Sequence, residues 1–235
     1  MSGQVSRLAD ATWPELAGRP LLVVPLGAVE QHGPHLPLAT DTVLASAVAT
    51  GAVPALDGAL LAPALPYGAS GEHEGFPGTV SIGTAALTTL LVEHGRSACR
   101  WAGRLLVVNG HGGNLDALLA AVPLLRAEGR DVAWYPCGVP GGDAHAGRTE
   151  TSLMLHVAPG GVREALAAGG ATAPLADLLP RLRAEGVRAV SPNGVLGDPA
   201  GASAGEGREL LAGLVRRLVA AVGGWRVDAG GRLLE

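Results

Sequence analysis

A chain of 235 residues, 48% of them hydrophobic, can bury a substantial core, and its 36 glycines fall between apolar runs without a period, which excludes a collagen-like or disordered chain. The formal net charge of −4 gives no electrostatic footprint for nucleic acid, and no apolar run reaches a membrane span without Gly or Pro breaks. The start, Met1 to Ser6, has no basic segment leading into an apolar one, and Cys99 and Cys137 form no CxxC pair, so a soluble cytoplasmic protein with no signal peptide and two free thiols is expected.

Residues 10–16 read as a short helix, with Pro14 suited to a first turn and Glu15 to its positive end. Residues 21–27 are a continuous apolar run and read as the first buried strand. The loop leaving it, Glu30-Gln31-His32-Gly33-Pro34-His35-Leu36-Pro37-Leu38-Ala39-Thr40-Asp41, carries two carboxylates and an imidazole in twelve residues, the donor types of a divalent-metal site. Glu30 and His32 stand at i and i+2, so in extended backbone both point to one side. Asp41 has two carboxylate oxygens with which to bridge two ions; taken alone it also suits the cap of the helix expected over residues 41–53. A second apolar run covers 59–65. The long loop 67–79 follows, and Glu72, His73 and Glu74 read as its solvated tip, placed to gate a site. A short strand is expected at 80–82 and a helix over 84–101.

Residues 104–108 are the next buried strand, ending in Asn109-Gly110-His111-Gly112-Gly113-Asn114. The glycines there allow close backbone approach, and the two asparagines can hold loop carbonyls or fix the imidazole. A helix over 114–128, a strand over 131–135 and a loop over 137–147 lead to His145 and to Glu150 in the first turn of another helix. A helix near 175–185, a Gly/Pro/Ser-rich loop over 191–203, a long helix over 206–222 and an edge hairpin in 225–235 complete the chain. Strands and helices alternate, and the strands lack polar alternation. The expected fold is therefore α/β: one three-layer α/β/α sandwich spanning 1–235, around a mainly parallel sheet with its ligands at the carboxyl ends of the strands.

Three strand ends thus converge on Glu30, His32, Asp41, His111 and Glu150, an N/O donor set without thiolate that suits zinc, iron or manganese. His145 is the candidate general acid or base beside Glu150. His35 is expected to be a plain loop residue, and His94 and His156 structural. Ser152 and Ser203 have no GxSxG elbow, nothing near Cys137 would lower its pKa, and neither GxGxxG nor GxxxxGK[ST] occurs.

In order and spacing, the motif from Glu30 to Asp41, Asn109 to Asn114, and His145-Ala146-Gly147-x-x-Glu150-Thr151-Ser152 resemble the creatininase (creatinine amidohydrolase) family, as do Gly71-Glu72-His73 and Phe76-Pro77-Gly78-Thr79. The resemblance runs from about residue 21 to about residue 220. It implies a metal-dependent amidohydrolase holding one or two divalent ions and assembling as a homo-oligomer, commonly a hexamer. One position departs. Creatinine-hydrolysing members carry a glutamate two residues after the motif histidine, where this chain has Gly113, so Glu150 becomes the candidate for the missing carboxylate. Residues 66–73, 91–98, 124–131 and 194–199 resemble the family's peptidase branch, which implies that the substrate is a modified precursor peptide, trimmed to release a crosslinked, decarboxylated Val-Tyr-derived C-terminal unit. The alternatives are a hydrolase of formamides or creatinine-like rings, and a non-catalytic metal-containing subunit.

Overall fold

Four parallel strands form the sheet, in the order β2-β1-β3-β4: β1 (Leu21–Leu26), β2 (Leu60–Leu61), β3 (Arg104–Asn109) and β4 (Val132–Pro136). This computed structural model describes residues 6–16 and 18–235, so most of the segment on which the signal-peptide reading rested lies outside the described residues. Successive side chains of a strand point to opposite faces. Accordingly Val23, Leu106, Val108, Ala133 and Tyr135 enter one core, while Leu22, Val24, Leu105, Val107 and Trp134 enter another on the far side. Burial on both faces is the reason these strands are apolar throughout rather than alternating.

The first core is closed by α1 (Thr40–Ala52), and the second by α2 (Gly83–Ala98) and α3 (Leu115–Ala127). On the α1 side α4 (Arg148–Val157) packs against the long final helix, which follows the short pair α5 (Leu175–Glu185) and α6 (Val187–Val190) and is α7 (Ala204–Gly224). Helices on both faces of a parallel sheet give the α/β layering that the sequence pattern predicts. The Ser203 side chain caps α7 by accepting the Glu206 N–H, and Ser152 is tied to the same turn through Glu206 and the Ser203 N–H, so both serines are structural.

The tail forms the antiparallel pair β5 (Arg226–Val227) and β6 (Leu233–Leu234). It lies along the β4 edge, where Trp134 Nε1 donates to Gly230 O and Tyr135 Oη to Glu235 Oε1, and so covers a strand edge that would otherwise stand open. The run 59–65 is strand only at Leu60–Leu61: the Ala62 N–H donates to Val23 O, but the next donor to β1 is the Leu65 N–H, to Pro25 O, one residue out of step, and a single bridge, Leu26 to Leu65, resumes there. Residues 80–82 form no strand beyond an antiparallel bridge from Val80 to Val29. Residues 10–16 are two 3-10 turns, Leu8–Asp10 and Trp13–Glu15, rather than one helix. Among the described residues no helix is long and apolar enough to cross a membrane.

Candidate metal centre

All five expected donors meet at the carboxyl ends of β1 and β3 and the start of α4, together with His145. The 30–41 loop folds back on itself: the Glu30 N–H donates to Leu38 O, and the Thr40 hydroxyl donates to Pro37 O at 2.6 Å. This delivers Asp41 on the first turn of α1, directly over the strand ends. Gly110 permits the approach, since a Cβ there would lie 2.5 Å from Asp41 O.

Asp41 sits between two imidazoles. Its Oδ1 is 3.0 Å from His32 Nε2 and its Oδ2 is 3.4 Å from His111 Nδ1. Glu30 is wholly buried; its Oε2 lies 3.1 Å from His111 Nε2, and its Oε1 lies 3.3 Å from His73 Nε2 and 3.8 Å from His145 Nδ1. Glu150 is at the rim, with Oε2 accepting the Ala146 N–H at 2.6 Å and standing 4.0 Å from His32 Nε2. Ala146 has φ +53, a strained left-handed conformation for a non-glycine residue, and it aims that N–H at Glu150. His145 donates from Nε2 to Gln31 O at 2.8 Å, which leaves Nδ1 facing the cluster.

Both oxygens of Glu30 and Oδ2 of Asp41 are buried without a hydrogen-bond partner. Unpaired buried carboxylate oxygens are costly, and a divalent cation is the partner they fit. Three groups bring a ligand atom from each residue within 4.8 Å of one another: Glu30, Asp41 and His111; His32, Asp41 and Glu150; and Glu30, His32 and His145. Asp41 belongs to two of them, and His145 enters the third as a donor.

The electrostatics describe the same well of negative potential. Burial alone would depress His32 and His111, but Asp41, Glu150 and Glu30 around the first, and Glu30, Asp41 and Glu72 around the second, outweigh it and raise both to about 10. Burial lifts Glu150 to about 7 against the pull of His32. It also lifts Glu30, helped by Asp41, whereas for Asp41 the imidazoles of His32, His111 and His145 overcome burial and hold the carboxyl below its usual range. Burial, with His32 beside it, lowers His145 to about 3, and burial with three imidazole neighbours keeps His73 neutral. Cys137 borders the adjoining cavity, but burial and Asp41 push its thiol up to about 12, far from a thiolate nucleophile.

The 67–79 loop departs from its expected role as a solvated tip. Glu74 is exposed, but His73 is buried inside the cluster, and Glu72 stands beside it with Oε1 3.6 Å from His111 Nε2. Gln31 donates from Nε2 to His73 Nδ1 at 2.8 Å and to Gly194 O at 3.0 Å, and so fixes the ring. The sequence alone assigns Gln31 no role and places His73 in solvent. Its i+1 place between Glu30 and His32 was the only local signal for Gln31. A Cβ at Gly113 would overlap Ala69 O and His111 Nε2 and come within 2.6 Å of Glu72 Oε1. The space that a side chain at 113 would enter is thus held by the Glu72 carboxylate, so two glutamates, Glu72 and Glu150, are near enough to make good the missing one. His35 is also buried rather than a plain loop residue, with Nε2 2.9 Å from Thr151 Oγ1 on α4. The asparagines hold the loops as expected: Asn109 donates to His111 O, and Asn114 accepts the Ala69 N–H and donates to Gly27 O.

A family model described as Creatininase, creatinine amidohydrolase, matches residues 9–222. The chain is 57% identical over 219 residues to a protein of Mycolicibacterium smegmatis named mycofactocin precursor peptide peptidase, covering 91% of this chain and 89% of that one. Among solved structures it is similar to a mutant creatininase of Zn-Zn type (TM-score 0.77, 28% identity, 93% of this chain and 97% of that one). It is equally similar to a creatininase with Mn (TM-score 0.77, 29% identity, 93% and 98%).

Proposed function

The chain belongs to the creatininase family and is a hydrolase of C–N bonds; from that premise we propose that it is a metal-dependent peptidase that cuts a modified mycofactocin precursor peptide and releases its Val-Tyr-derived C-terminal unit. The observation that carries this reading is the 57% identity to a precursor peptide peptidase over 91% of the chain.

In this reading Glu30, Asp41 and His111 hold one divalent ion, and His32, Asp41 and Glu150 offer a place for a second. Iron or zinc suits these donors, and manganese fits the same set. A bound ion acidifies a water molecule and polarises the scissile carbonyl. The chain's own residues do the rest. His73, locked by Gln31, keeps Glu30 aimed inward. With the first place filled alone, Glu150 is free to carry a proton to the leaving nitrogen, being a carboxyl that burial already raises above its ordinary value in the metal-free chain. With both places filled Glu150 is a ligand, and the neutral Nδ1 of His145 is the acceptor that remains.

The two unpaired cysteines support a cytoplasmic setting. Residues 1–235 are read as one domain of a homo-oligomer, a hexamer or similar. The decisive experiment is mass spectrometry of metal-loaded protein incubated with the modified precursor. A shortened peptide plus the free C-terminal unit is expected. No cleavage with iron, zinc and manganese each supplied would shift the substrate to a formamide or a small cyclic amide.

A further inference from the structure

In the group His32, Asp41 and Glu150, the first two ligands sit on the loop after β1 and on the first turn of α1, and α4 brings Glu150 alone. The far side of α4 is fastened to α7: Ser152 Oγ donates to Glu206 Oε2 at 2.8 Å, and Arg148 Nε donates to the same oxygen at 2.9 Å. Those bonds hold the helix to its neighbour and not to the other ligands. On the cluster side α4 meets an imidazole outside the donor set. His35 Nε2 stands 2.9 Å from Oγ1 of Thr151, the residue after Glu150, and both residues are buried. The His35 carbonyl also accepts the Arg163 N–H at 2.8 Å, so the same residue grips the chain beyond the helix.

We propose that His35 is a positioning residue: its bond to Thr151 sets the distance of Glu150 from His32, and so decides whether the place formed by His32, Asp41 and Glu150 can hold an ion. The proposal rests on the reading of the centre as two adjoining metal places.

Two observations carry it. The first is reach. Zinc bonds to imidazole nitrogen and carboxylate oxygen are about 2.0–2.2 Å long, so two ligands of one ion stand at most about 4.3 Å apart. Glu150 Oε2 is 4.0 Å from His32 Nε2, close to that limit. A retreat of α4 by about 0.5 Å exceeds the slack. Nor can the carboxylate swing out to compensate without giving up the Ala146 N–H, which it accepts at 2.6 Å. The second is the ring itself. His35 Nδ1 is buried and has no hydrogen-bond partner among the described residues. A leucine would fill the same space without burying an unpaired polar atom. What the imidazole adds is the bond to Thr151. Gly33, with φ +63, admits the ring, since a Cβ there would stand 3.1 Å from Nδ1.

The test is calorimetric titration of zinc into chelator-treated protein, read as two successive affinities, with Glu150→Ala as the reference for loss of the second. The wild type is expected to take two ions. Thr151→Val keeps the side-chain shape and removes the hydroxyl, and His35→Leu removes the ring nitrogen. Each is expected to weaken the second affinity by about 10- to 100-fold and leave the first unchanged. His35→Gln carries an amide nitrogen to the place of Nε2 and should restore the wild-type pair of affinities. In the double variant of His35→Leu and Thr151→Val the losses should not add, because either substitution alone breaks the bond. A ring that only fills space would give a loosened fold, with both affinities weakened and no rescue by glutamine. Where His35→Leu loses the wild-type circular dichroism, Thr151→Val decides. An unchanged second affinity in Thr151→Val, or equal losses at both, would overturn the proposal while leaving the two places intact. A wild type that takes a single ion would remove the second place and the proposal with it. Precursor cleavage, measured separately, bears on the peptidase reading alone.

Discussion

Asp41 lies within reach of both imidazoles, with one carboxylate oxygen turned to His32 and the other to His111. Its loss therefore opens two candidate ligand groups at once. Asp41→Ala is expected to lower turnover by more than about 100-fold, beyond the loss usual for partners that only orient a ligand. It should also remove bound metal as read by inductively coupled plasma mass spectrometry, with the circular dichroism spectrum retained. A fully active, metal-free variant would end the assignment. His32 and His111 carry a second prediction. Their folded values of about 10 stand above the unfolded value of about 6.5. Between those limits the native chain binds more protons than the unfolded one, so stability falls as pH rises. His145, at about 3, acts in the opposite window and penalises the fold as pH drops below about 6.5. Chelator-treated protein is thus expected to melt at lower temperature at pH 9.5 than at pH 7. Protein loaded with a divalent ion, which replaces those protons, should show a much smaller drop. Scanning calorimetry reads both, and a flat profile without metal would mean that the two rings are not held charged.

At the scale of elements, the loops decide what the sequence made legible. The strands were readable because burial on two faces leaves continuous apolar runs, as in Leu21–Leu26, and the donors on β1 and β3 were readable because ligand types follow those runs directly. His73 was not, since Gly-Glu-His-Glu-Gly has the composition of a solvated tip. What buries the ring is a tertiary approach: α5 and α6 pack against that turn, Arg188 donates to Gly75 O, and Gln31 reaches across from the first loop. No window of local sequence contains that information. The same holds for Gly113, whose meaning lies in the Glu72 carboxylate from another loop. Gly113→Ala is accordingly expected to expel Glu72 and tilt His111, weakening metal affinity by about 10- to 100-fold with little change in helix content. Titration of the metal-free variant checks this, and wild-type affinity would show that Glu72 and His111 do not share that space. The entry to α4 gives the reverse case. At Ala146, with φ +53, glycine removes backbone strain while keeping the N–H that Glu150 accepts. Ala146→Gly should therefore be neutral or stabilising by up to about 1 kcal/mol in denaturant melts, although Gly normally costs stability elsewhere.

For the whole molecule, α3 and α5 each present a pair of exposed leucines one turn apart, and α3 is the one tied to the cluster. α3 follows the His111 loop at once, and it exposes Leu115 and Leu119, at 38% and 43%, on adjacent turns of one side. Two exposed leucines one turn apart are a small patch. Their position matters more, because a neighbouring copy seated on α3 would brace the helix whose start fixes His111 and Asn114. If the chain is a homo-oligomer built on this face, Leu115→Asp with Leu119→Asp should convert it to a monomer in size-exclusion chromatography with light scattering. The monomer should keep its metal, since no donor of the cluster lies on the outer side of α3, yet lose thermal stability because the brace is gone. A wild-type chain that is already monomeric would refute the oligomer outright. An oligomer that survives both substitutions would place its contacts on another face and leave α3 braced within the chain, chiefly by α2 and β4.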